Sequence, residues 1–238
     1  MWRALKTCLA GLSAIFVVLA IGLACLYFDT QGLPNTQSLD QFAPTITGRV
    51  TDPCLNSQSI ALPVELIGHN LISALFAAEI PEYRPADPLP DYLELVTLHE
   101  PVSVALSARI ARTMMCKHTN SLDRHISEIR FEVQLYRRFS GAELIAIFAN
   151  RLYLGDNIVG VESASQHYFH KEPNQLLISE SAFIAGLARH PSFYSPYAHP
   201  DRALQRRNEV IDAMAHKYLI SGTEAAIAKA TPLVVETE

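Results

Sequence analysis

The sequence predicts an all-α body behind one membrane-spanning segment. Apolar residues recur at helical spacing in one segment of the body after another, and Cys8 to Phe28 is a run of twenty-one residues without a charge. With 238 residues, 49% of them hydrophobic, the chain can bury a sizeable core. A formal charge of −5 offers no basic face for nucleic acid. The nine histidines show no His-Glu-x-x-His spacing and no Cys-x-x-Cys occurs, so no metal-ligand pattern is present.

At about 1.5 Å per residue, the Cys8–Phe28 run is long enough to cross a hydrocarbon core of roughly 30 Å. Arg3 and Lys6 precede it, Asp29 and Asp40 follow it, and the next basic residue is Arg49. The positive-inside rule therefore places residues 1–28 as a cytoplasmic amino terminus and anchor, with the body on the periplasmic side of the cytoplasmic membrane. A cleaved signal peptide is the alternative, but its apolar region runs only about 7–15 residues. Cys54 and Cys116 could pair outside the cytoplasm or remain thiols.

Residues 29–64 contain Pro34, Pro44, Pro53 and Pro63 among small polar residues, a composition that reads as a linker. From Leu66 to Ala78, Leu66, Ile67, Leu71, Ile72, Leu75 and Phe76 form a helical stripe, which ends at Glu79-Ile80-Pro81. Glu79 at the end of an apolar helix is a candidate general base, or else a solvated helix-end carboxylate.

Val102 to Met115 reads as a helix with Leu106, Ile110 and Met114 on one stripe and Arg109 and Arg112 beside it. Another begins after Asn120-Ser121, with Leu122, Ile126, Ile129, Val133 and Tyr136 as its apolar stripe. Arg124 and Glu128 stand four apart on this helix, away from that stripe. They read either as an exposed ion pair or, with Arg109, Arg112, Arg130 and Arg137-Arg138, as part of an anion site. Leu144, Ile145, Phe148 and Leu152 mark a further helix stopped at Gly155, and one more begins near Val159.

Particular residues add to this pattern. Arg137-Arg138-Phe139-Ser140, Ala149-Asn150-Arg151-Leu152-Tyr153-Leu154-Gly155, Gly160-Val161-Glu162-Ser163-Ala164 and Tyr168-Phe169-x-Lys171 occur in order. They are followed by Phe183 through Ala188, Pro191-Ser192-x-Tyr194-Ser195-Pro196 and Arg206-Arg207. Residues from about Leu66 to Met214 thereby resemble glycosyltransferase family 51, the peptidoglycan polymerase module of penicillin-binding proteins and monofunctional transglycosylases. The resemblance implies a lysozyme-like fold across residues 65–220, with a small membrane-proximal lobe in residues 80–115 and a tail at 221–238. It also implies lipid II and the nascent glycan strand as substrates, the membrane and other cell-wall synthesis proteins as partners, and a role in cell-wall biogenesis and cell shape.

On this resemblance Glu79 takes the place of the base that accepts the acceptor sugar's proton. Glu128, with Arg124 and His125, takes the place of the second acid, which serves the diphosphate. Arg109 and Arg112 fall in the substrate-binding second motif. The resemblance requires no organic cofactor and allows a divalent ion, Mg2+ or Mn2+, at Glu128. The chain departs from the family pattern in the first three motifs. Ile80 replaces an Asp, Val104-Ala105 a Ser-Thr pair, Ala108-Arg109 two Gln, Arg112 a Lys, and His125 the Lys beside Arg124.

Two functions are therefore expected. The first is a membrane-anchored peptidoglycan glycosyltransferase, monofunctional because no Ser-x-x-Lys transpeptidase signature follows. The second is a catalytically impaired relative that binds lipid II or acts as a scaffold. A lytic enzyme of the same fold is disfavoured, because the Glu-Ser and Gly-Leu-Met-Gln signatures of that class are missing.

Overall fold

The computed structural model describes residues 33–43, 47–52, 57–80, 100–114 and 122–235, and the single position 17. The charge-free run at 8–28 apart from position 17, all four cysteines and most of the expected membrane-proximal lobe lie outside the described residues. Among the described residues no helix is long and apolar enough to cross a membrane.

The body is mostly helical, as its periodicity requires, and carries one two-stranded sheet that the sequence did not announce. A 3-10 helix at Thr36–Phe42 leads into β1 (Gly48–Asp52), which pairs antiparallel with β2 (Ser57–Ala61) in a register that sets Val50 opposite Ser59. Leu39, Phe42, Val50, Ala61 and Leu62 of this segment are buried in the common core, so much of the stretch read as a linker is part of the packed body. Its apolar residues are too sparse in the sequence to show a period.

The next stripe is split. Val64–Ile67 (α1) and His69–Glu79 (α2) are separate helices, because Gly68 turns the chain at φ +85° between them. A Cβ there would lie 2.6 Å from the Asn174 Cα, so only glycine fits both the angle and the approach. Beyond them come α3 (Glu100–Met114), α4 (Leu122–Arg138), α5 (Gly141–Arg151), α6 (Val161–Phe169), α7 (Ile178–Leu187), α8 (Pro200–His216) and α9 (Gly222–Ala230).

Helix α5 starts at a capping box. The Ser140 Oγ accepts from the Glu143 amide at 3.3 Å, and the Glu143 carboxylate accepts from the Ser140 amide at 2.7 Å. Such a cap contributes about 1 kcal/mol. Helix α7 is buried on every side from Ser181 to Leu187 and packs between α2 and α8, which makes it the central strut. Helix α9, expected as tail, packs on α8. There the fully buried Arg207 donates to the carbonyls of Thr231 at 2.7 Å and Lys229 at 3.0 Å, satisfying the end of α9.

Asn150 joins the early segment to the helices. Its buried side chain accepts from the Leu62 amide at 3.0 Å and donates to the Phe42 carbonyl at 2.9 Å and the Leu62 carbonyl at 2.8 Å. One side chain thus satisfies backbone groups at the ends of the 3-10 helix and of β2, beyond the reach of their own ladders.

Candidate active site

Glu79 is the last residue of α2, whose residues from Leu71 to Ala77 are all buried. The helix therefore delivers the carboxylate to the edge of the core, and the Glu79 side chain is only 2% exposed. Ile80 next to it is buried, with its carbonyl accepting from the Lys217 ammonium at 2.7 Å. Across from Glu79, α3 turns Leu106, Ile110 and Met114 into the core as its periodicity predicts, which leaves Arg109 and Arg112 on the side facing α2.

These residues line a cleft of about 630 Å³, whose other walls include Phe148 of α5, Leu152 just past its end and Arg189 just past α7. The Arg109 guanidinium forms an ion pair with the Glu79 Oε2. The other oxygen, Oε1, is buried and has no hydrogen-bond partner among the described residues. Burial, and after it the charges of Arg112 and Arg189, lowers the pKa of Arg109 from its ordinary value. Three guanidiniums against one carboxylate leave the cleft lining two positive charges in excess. Such a site can hold a multiply charged anion and, at Glu79, accept a proton once that carboxylate is released.

The remaining candidates form a separate group on α4. Arg124 Nε donates to the Glu128 Oε1 at 2.7 Å, and the His125 Nδ1 lies 3.7 Å from the Glu128 Oε2. The Arg124 and Glu128 side chains are 16% and 17% exposed, so the pair is tucked inward rather than displayed. They share a face with the buried Phe131 and Leu135, at spacings of four, three and four. The expected apolar stripe is the outward one instead, and Ile126, Ile129 and Tyr136 on it are exposed. The structure thus gathers Glu79, Arg109 and Arg112 in one cleft, with Arg124, His125 and Glu128 apart from its lining.

A divalent ion at Glu128 finds poor support among the side chains around it. Its carboxylate is already engaged by Arg124, and among the described residues no three His, Cys, Asp or Glu side chains gather to hold a metal.

Two residues of the site escaped the sequence reading. Arg189 follows a buried helix with no periodic partner, and only the packing of α7 against α2 brings it to the cleft. Glu132, one turn beyond Glu128, feels the charge of Arg112, and burial raises its carboxyl above the usual range against that charge. Its i,i+4 position after Glu128 was a signal available in the sequence.

Residues 105–215 match the protein family described as Transglycosylase. This stretch is similar to a transglycosylase domain. It holds Arg109, Arg112, Arg124, His125, Glu128 and Arg189, while Glu79 precedes it. The chain is 25% identical over 250 residues to penicillin-binding protein 1A of Aquifex aeolicus, a match covering 98% of this chain and 34% of that protein. It is 32% identical over 128 residues to penicillin-binding protein 1F of Bacillus subtilis, covering 54% of this chain and 18% of that one. Among solved structures, penicillin-binding protein 1A from Haemophilus influenzae matches with a TM-score of 0.39 and 26% identity, over 63% of this chain and 18% of that one. The chain accordingly spans about a third of the first relative's length and under a fifth of the second's.

Proposed function

We propose that the chain is a peptidoglycan glycosyltransferase that joins lipid II units into glycan strands at the outer face of the cytoplasmic membrane, with the charge-free run at 8–28 as its anchor. The observation that carries this reading is Glu79, a buried carboxylate with one unbonded oxygen, in the same cleft as Arg109 and Arg112. In this reading an acceptor sugar hydroxyl donates its hydrogen bond to Oε1. Glu79 takes the proton as the hydroxyl oxygen attacks the donor's anomeric carbon, and the bond to the lipid diphosphate breaks with its electron pair on the diphosphate. Arg109 and Arg112 stabilise the charge that develops on that leaving group. Arg124 and His125 hold Glu128, which orients the α4 side of the substrate from outside the cleft lining.

A carboxylate held by a guanidinium is a poor proton acceptor, so Arg109 has two tasks here. When the diphosphate arrives, Arg109 turns to it and frees Glu79, which ties activation of the base to occupancy of the anion site. The same contact favours a second reading, in which Glu79 stays closed off and the cleft only binds lipid II as part of a scaffold for cell-wall synthesis.

Polymerisation of purified lipid II separates the two. The enzyme reading expects glycan product from the wild type, and a loss of about a hundredfold or more in Glu79→Gln. It also expects Arg109→Gln to bind lipid II more weakly while keeping measurable turnover. Binding without product in the wild type selects the scaffold reading, and absence of both rejects the cleft as the site.

A further inference from the structure

The end of α2 that carries Glu79 is held by a side chain from late in the chain. Glu79 closes α2, and the last bond of the helix runs from the Ile80 amide to the Phe76 carbonyl at 3.1 Å. The final carbonyls of any helix lack an amide four residues on. Pro81 has no amide hydrogen, so it cannot donate to the Ala77 carbonyl and carry the helix further. A helix that stops this way frays unless something outside it takes up its last carbonyls. Here the Lys217 ammonium donates to the Ile80 carbonyl at 2.7 Å, from 137 positions further along the chain. Its charge also sits at the helix end where the backbone dipoles favour a cation.

Lys217 is itself fixed in place. It caps α8, where the Tyr218 amide donates to the Ala215 carbonyl at 3.0 Å and the Leu219 amide to the Met214 carbonyl at 2.9 Å. These two bonds are the Schellman arrangement, which closes a helix through one left-handed residue. That residue is Tyr218, at φ +57°, an angle that a residue with a Cβ adopts at a cost. Leu219 and Met214, both buried in the core, hold the turn closed against that cost. Helix α8 packs on α2, so the Lys217 stem starts from a backbone anchored against the helix whose end it holds. Lys217 is not part of the cleft lining. We propose that Lys217 is a positioning residue for Glu79. By holding the Ile80 carbonyl it fixes the backbone next to Glu79, and so sets where the carboxylate stands between Arg109 and an arriving sugar hydroxyl. This rests on the reading of Glu79 as the base. A displacement of about 1 Å at a reacting group can cost about a hundredfold in rate, so the last turn of α2 has little room to move.

The test is polymerisation of purified lipid II by the full chain, with kcat and KM measured separately and rates taken per folded protein from near-ultraviolet circular dichroism. Lys217→Met keeps the apolar stem and loses the donor. It is expected to lower kcat about tenfold or more and to leave KM within about twofold of wild type. Lys217→Arg should recover much of the loss, because it restores a charged donor. Lys229 pairs with Asp212 at 2.5 Å on the exposed side of α9, and Lys229→Met is expected to stay within about twofold in both constants. Amide hydrogen exchange gives a readout that needs no turnover: the Ile80 amide should exchange about tenfold faster in Lys217→Met, with the amides of α7 unchanged. A kcat within about twofold of wild type in Lys217→Met overturns the proposal. So does a raised KM at unchanged kcat, which would put Lys217 on the substrate, and so does faster exchange that spreads over α7, which would make it a support of the fold at large. Should Lys217→Met not fold, Lys217→Gln, a shorter donor, takes its place with an expected loss in kcat of about threefold, and an unchanged kcat there overturns the proposal. Wild type that makes no glycan overturns the reading of Glu79 as the base and Lys217's part in turnover with it, whereas an active wild type with an indifferent Lys217→Met overturns Lys217 alone.

Discussion

Burial decides what a charged residue does in this protein more than its neighbours in sequence do. Glu79 and Glu162 are both helix carboxylates, yet one closes α2 against a guanidinium and the other opens α6 beside a second acid. Burial raises the Glu162 carboxyl above its usual range. Glu172 adds to the rise, and a hydrogen bond from Ser163 opposes it. Because the folded pKa is raised, the folded state holds the proton to higher pH than the unfolded chain. Stability therefore falls as pH rises through the window between the unfolded value, about 4.3, and the raised folded one. Glu162→Gln removes that cost. Its melting temperature should exceed that of the wild type at pH 8, and the gap should close below about pH 4 in thermal unfolding followed by circular dichroism. A gap of equal size at both pH values would mean that the side chain acts by packing alone.

At the scale of the element, the helices obey their periodicity wherever one face is plainly apolar. Leu106, Ile110 and Met114 on α3, and Leu144, Ile145 and Phe148 on α5, are buried as their spacing requires. Helix α4 is different because it offers two stripes. Ile126, Ile129 and Tyr136 make the more apolar one, yet the helix packs through Phe131 and Leu135 with the Arg124–Glu128 pair on the same face. A pair of opposite charges that satisfies itself can turn inward at little cost, so polarity was the wrong guide to which face α4 buries. Gly68 is the other point where an element departs from its pattern, since one apolar stripe is broken there by a left-handed turn. Gly68→Ala should destabilise the protein by about 2 kcal/mol, from the strained φ and the contact with Asn174 together. Gly222→Ala, with open space around its Cβ, should cost nothing measurable by urea denaturation.

Across the whole molecule, stability depends on joints between distant segments. Asn150 ties α5 to Phe42 and Leu62, about a hundred residues earlier in the chain, and Arg207 ties α8 to the end of α9. Asn150→Leu keeps the volume but leaves the Leu62 amide and two carbonyls without partners in a dry site. Its urea midpoint should fall by the equivalent of about 3 kcal/mol. A near-wild-type midpoint would show that water reaches those groups and that the joint is dispensable. The cleft is a product of the same kind of joining, because α2, α3, α5 and the segment after α7 each supply part of its wall.

The sequence by itself determined the helices, the side of α3 that faces inward, and the likeness to a transglycosylase, because each is written in residues a few positions apart. It also placed Glu79, Arg109 and Arg112 as candidates that the structure finds in one cleft. Only the tertiary structure decided that Leu39, Phe42, Val50, Ala61 and Leu62 belong to the core, since these few apolar residues carry no period and Asn150 is what ties their backbone to the helices. It alone decided which stripe of α4 turns inward, and that Arg124 and Glu128 stand apart from the cleft lining. It alone brought Arg189 to the cleft. The physical reason is common to these cases: local spacing fixes where a side chain points on its own element, whereas what it points at is set by long-range packing of elements that no short stretch of sequence contains.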